Sequence, residues 1–162
     1  MRGTIRRIAL TVAVSAGEMQ PAKACWDDAG QDAVKITHLN MMLLVTALRC
    51  RGGANNFLPE YNRFVVNNSQ LLGNQGKLIK THFSATYGVS SAEGALDRMS
   101  IGFANSYGTG HQNMDCLQLK VLAGQLADEE FGTATLARAA DDAIMPTTMP
   151  GIVCPLKIAA RP

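Results

Sequence analysis

An all-α fold, a bundle of four to five helices in up-and-down order with an irregular proline-rich C-terminal tail, is what this sequence predicts. Three observations carry it. Apolar residues recur at intervals of three and four, breakers fall between those runs, and no stretch of useful length alternates as a strand would. The chain has 162 residues, 47% of them hydrophobic and 17% charged, which suits one domain with a true core and neither disorder nor a membrane protein.

The organisation expected is a cleaved leader over 1–24, a helical domain over 25–145 and a tail over 146–162 packed on that domain. Arg2, Arg6 and Arg7 precede the apolar run Ile8 to Ala16, followed by small residues suited to a signal peptidase. Cleavage fits after Ala16 or after Ala24, the second being preferred, and the apolar run is too short to anchor in a bilayer. Without the leader the chain carries 11 basic and 12 acidic side chains, a net of −1. That balance lacks the positive face that phosphate-backbone binding needs, so no nucleic-acid partner is expected.

The first helix spans Asp27 to Arg51, with Ala33, Ile36, Leu39, Leu43, Leu44, Ala47 and Leu48 on its apolar stripe. Acids at its start and Arg49 and Arg51 at its end complement the helix dipole, and Gly52-Gly53 stops it. A second helix opens at Asn55-Asn56, with Pro59 in its first turn, and runs past Phe83, with a kink expected at Gly73 or Gly76. Beyond Gly88, Ser90 and Glu93 are spaced as a capping box for a third helix lined by Leu96, Met99, Phe103 and Tyr107. Gly108-Thr109-Gly110 breaks it. A fourth helix, from about Gln112 to Asp128, turns Leu117, Val121, Leu122 and Leu126 inward, and a short fifth covers about Thr133 to Ile144. Pro146, Pro150 and Pro155 mark the tail.

Cys25, Cys50, Cys116 and Cys154 all follow the leader, and an even count behind an export signal reads as two disulfides in the periplasm or outside the cell. No pair has CxxC spacing, which argues against zinc ligation and thioredoxin-like chemistry. Cys25 and Cys50 flank a helix of roughly 36 Å at 1.5 Å per residue, far beyond the ~7 Å that a bridge spans. In an up-and-down bundle the end of helix one meets the start of helix four. The pairing that follows is Cys50 with Cys116 and Cys25 with Cys154. Lipidation of Cys25 is a minor alternative.

No catalytic, cofactor or metal site is assigned. His38, His82 and His111 form no HExxH-like pair and read as surface or interface histidines. Met41, Met42, Met99 and Met114 read as core filler rather than a copper(I) site. Asp128-Glu129-Glu130 and Asp141-Asp142 read as solvated faces. Two residues support an enzyme alternative. Glu60 could serve as an acid, although beside Pro59 it also suits a first helical turn, and His111, in Ser106-Tyr107-Gly108-Thr109-Gly110-His111, could serve as a base.

The segments Leu48-Arg49-Cys50-Arg51, Tyr61-Asn62-Arg63-Phe64, Leu96-Asp97 and Ala104-Asn105 together resemble small exported helical proteins of proteobacteria to which no activity is attached. The resemblance implies export and disulfides and brings no functional residue with it. Asn62, Arg63 and Asn105 are candidates for polar ties between helices.

The functional expectation is a non-catalytic cell-envelope protein that binds or buttresses a protein or other envelope component. Its rival is a small envelope hydrolase using Glu60 or His111. A cleft holding either residue with a second ionisable group argues for the hydrolase, and a closed bundle with an apolar surface patch argues against it.

Overall fold

The computed structural model describes residues 25–128 and 131–146, and these are helical throughout their regular elements. Asp27 caps the first helix, its carboxylate accepting the Gly30 N–H at 2.8 Å, and α1 then runs over Asp28–Cys50. Asn56 Oδ1 accepts the Leu58 N–H at 3.0 Å to open α2, Leu58–Asn67. The remaining helices are α3, Ser69–Tyr87, α4, Val89–Ser106, α5, Cys116–Asp128, and α6, Thr133–Ala143.

Six helices rather than four or five are present among the described residues because the expected second helix is two. The break falls at Asn68 and not at Gly73 or Gly76, which lie inside α3. Asn68 is buried, and its side-chain amide donates to the Phe64 carbonyl, competing with the backbone for a helical acceptor. Asn67 donates to the Ala127 carbonyl at 2.6 Å and Asn68 reaches Leu126. The two amides thereby satisfy last-turn carbonyls of α5 that have no partner within their own helix.

Gly88 closes α3 and opens α4, at φ +86, a conformation that side chains with a Cβ rarely adopt. A one-residue corner leaves no place for the expected capping box. Ser90 lies within α4, and Glu93 pairs with Lys80 at 3.0 Å across the hairpin. Farther on, the cap at α5 falls on Asp115: its carboxylate accepts the Leu117 and Gln118 N–H groups at 2.9 Å, and Gln118 Oε1 accepts the Asp115 N–H.

Helix directions follow from side-chain pairs. Cys50 and Cys116, with Cα atoms 5.8 Å apart, join the end of α1 to the start of α5 as a disulfide, so these helices are antiparallel. Glu60 meets Lys120 and Asn67 meets Ala127, the same offset at both ends, so α2 runs parallel to α5. Lys35 bonds Asp141 while His38 lines a cleft with Met145, so α6 runs parallel to α1. The second expected bridge, Cys25 to Cys154, and the leader and most of the tail reach residues outside the described ones. Among the described residues no helix is long and apolar enough to cross a membrane.

Two buried clusters share α1. One gathers its later half, Ile36 to Cys50, with Phe57, Tyr61 and Phe64, Tyr107, and the inner faces of α5 and α6. The other gathers Trp26, Ala33 and Val34 with Ile79 and Phe83 of α3 and Ala92, Ala95, Met99 and Phe103 of α4.

Three inward placements are corrected. Leu117 and Val121 of α5 are 52% and 54% exposed, while Leu119, Ala123, Leu126 and Ala127 are buried. Cys116 is tied to Cys50, and that tie fixes which side of α5 faces the core. Leu48 of α1 is likewise exposed at 43%. Asn62, Arg63 and Asn105 are exposed, Arg63 pairing with Asp128 at 3.6 Å, and Asn67 and Asn68 supply the interhelical ties instead.

Candidate functional site

The loop after α4 folds over the end of α1 and encloses a cleft of about 280 Å³ lined by Arg49, Thr109, His111, Met114, Asp115 and the Cys50–Cys116 bridge. His111 thus stands in a cleft with ionisable neighbours, as the hydrolase reading requires. Its ring, however, is fully engaged. Nδ1 accepts the Asn113 and Met114 N–H groups, both at 3.1 Å, and Nε2 donates to the Ala143 carbonyl at 2.8 Å. Both ring nitrogens are thus held by backbone groups. The acceptor is a last-turn carbonyl of α6, so the imidazole clamps the glycine loop onto that helix. Arg49 adds a second clamp by donating to the Gly108 carbonyl.

Glu60 lies apart from this cleft, in the first turn of α2. Its Oε1 is 3.9 Å from Lys120 Nζ of α5, and its Oε2 is buried with no hydrogen-bond partner among the described residues. The two enzyme candidates are therefore not brought together.

A buried polar triad that sequence reasoning missed lies where the two core clusters meet. His38, expected at a surface or interface, is only 1% exposed and stacks on Phe103 with ring centroids 4.2 Å apart. Tyr107 Oη is 3.0 Å from His38 Nε2 and accepts the Met145 N–H at 3.0 Å. With that N–H spent on the phenol oxygen, the phenol hydrogen is free to donate to Nε2, which leaves the His38 proton on Nδ1. Burial depresses the His38 pKa to about 4 and raises that of Tyr107, which the Met145 hydrogen bond partly offsets. The signal for His38 was its spacing: it stands four residues after Val34 and four before Met42, both buried.

His82 stacks on Trp26 with centroids 3.5 Å apart, and burial lowers its pKa while Asp27 opposes the shift. Among the described residues no three histidine, cysteine, aspartate or glutamate side chains gather as a metal site. No family model matches this chain, and neither a curated protein nor a solved structure matches it.

Proposed function

We propose that this chain is an exported, non-catalytic component of the cell envelope, stapled by Cys50–Cys116 and Cys25–Cys154, that binds or buttresses another envelope component. One observation carries the reading: the histidine best placed to act as a base, His111, spends both ring nitrogens on backbone groups that hold the loop to α6. A side chain used in this way stabilises a fold rather than turning over a substrate. The leader over 1–24 and the bridge between Cys50 and Cys116 support an oxidising destination, periplasmic or secreted.

The test is affinity capture with the disulfide-intact protein from a native envelope fraction, beside a mass measurement of the chain itself. A mature N-terminus near Gly17 or Cys25 and a stoichiometric envelope partner are the expected results. An intact Met1 in the cytosolic fraction overturns export. A wall-hydrolysing activity that His111→Gln or Glu60→Gln abolishes, with the melting temperature unchanged, overturns the non-catalytic reading.

A further inference from the structure

A second cleft, of about 250 Å³, lies between α1 and the end of α6. Its walls are mainly apolar, with Val34, Ile144 and Met145, and its polar groups are His38, Lys35 and Asp141. Lys35 Nζ lies 2.9 Å from both carboxylate oxygens of Asp141. The pair is partly exposed at the rim. His38 is the one almost wholly buried polar side chain of the lining, and only its Nε2 has a hydrogen bond among the described residues. The chain of donors from Met145 through Tyr107 puts the remaining ring proton on Nδ1. Nothing within the described fold uses that donor.

From these features we infer that the cleft is a binding site for a small zwitterion, a free amino acid with an apolar side chain. Lys35 and His38 are three residues apart on α1, so their side chains stand side by side and can both donate to one carboxylate. Asp141, the present partner of Lys35, takes the α-ammonium group. Each rim charge keeps a partner of opposite sign throughout. A monoanion would instead crowd Asp141, and a monocation would crowd Lys35, which is how the cleft rejects both. Val34, Ile144 and Met145 receive the aliphatic side chain. The site is independent of export and of any macromolecular partner.

L-leucine is the probe, titrated into the disulfide-intact protein and followed by calorimetry and by NMR of the His38 ring and the Met145 amide. Saturable binding that shifts both signals is expected. Leucinamide, which lacks the carboxylate, and 4-methylpentanoate, which lacks the ammonium, bind about ten-fold or more weakly, the size of losing one charge-assisted contact. Lys35→Met and Asp141→Asn give similar losses while their melting temperatures stay near that of the parent, since both residues lie at the rim. Absence of saturable leucine binding, analogues that bind as tightly as leucine, or rim variants that bind undiminished would each overturn the assignment.

Discussion

The two core clusters are built on opposite plans although they share α1. The cluster of α3 and α4 centres on two helices that are neighbours in sequence, turned by the single residue Gly88, against which α1 lays Ala33 and Val34 and Trp26 packs. In the cluster of α2, α5 and α6, partners come from distant parts of the chain, and a disulfide 66 residues apart ties them together. Local contacts cost little chain entropy to assemble, whereas distant ones must close long loops. The covalent staple thus stands in the half that most needs it.

Opening that staple tests the contrast most severely. The loop-entropy relation assigns roughly 4 kcal/mol to a closure of this length, less whatever native strain removes. Cys50→Ser paired with Cys116→Ser should lower the melting temperature strongly, and amide exchange should show where the loss falls. Protection is expected to drop in α5 and α6 and to persist in the α3–α4 hairpin. An even loss across both halves would mean that the clusters unfold as one.

His38 sits on the seam, stacked on Phe103 of one cluster and bonded to Tyr107 of the other, so acid should open the molecule there. Its pKa is about 4 in the fold against 6.5 for the free side chain. Between those values the unfolded chain holds more protons, so its stabilising contribution is complete above pH 6.5 and fades as the pH falls toward 4. At about 1.4 kcal/mol per pH unit the window is worth up to roughly 3 kcal/mol. The lowered pKa of His82 acts in the same direction. Thermal melts from pH 7 to 4 should show this decline, and His38→Gln, which keeps a polar group near Nε2, should flatten most of it. A slope unchanged in that variant assigns the acid sensitivity elsewhere.

Gly30 probes the hairpin side alone. A Cβ there would lie 2.7 Å from Trp26 Cε3, a ring atom of a fully buried side chain that has little room to move. Overpacking costs about 1–3 kcal/mol, against up to about 1 kcal/mol regained in helix propensity. Gly30→Ala should therefore destabilise modestly. Gly73→Ala, where a Cβ would meet nothing within 4 Å, should stabilise by up to about 1 kcal/mol, so the two melts should move in opposite directions.

How much of this was legible follows the same division. The α1 stripe, the inward line of Met99, Phe103 and Tyr107, and the Cys50–Cys116 pairing could all be read from helical spacing and length. Those features rest on one helix, or on the order in which helices alternate. The break at Asn68 was missed because its cause, amides reaching the end of α5 some 58 residues away, is tertiary. Likewise Ser90 to Glu93 carries the spacing of a capping box, yet Gly88 turns the chain before it. Residue type alone points His38 to a surface or an interface, although its interval from Val34 and Met42 sets it on the buried stripe.

The face of α5 was misjudged for a reason that can be measured. Leu117 and Val121 stand four apart, as do Leu122 and Leu126, and of these Leu126 is buried as the spacing implies, but Ala123 and Ala127 are small, and their burial beside Leu119 leaves no apolar signature as strong. The choice between the two faces was made by Cys116, whose sulfur must reach Cys50 and so turns Leu119 and Ala123 toward α1. Leu117, more than half exposed, then contributes almost nothing to folding. Leu117→Ala should change stability by less than about 0.5 kcal/mol, as surface substitutions do, while Leu119→Ala, at 2% exposure, should cost about 2–5 kcal/mol. Parallel urea melts of the two variants decide it. A loss above about 1 kcal/mol for Leu117→Ala would return that face of α5 to the core, and with it the helix rotation that the disulfide dictates.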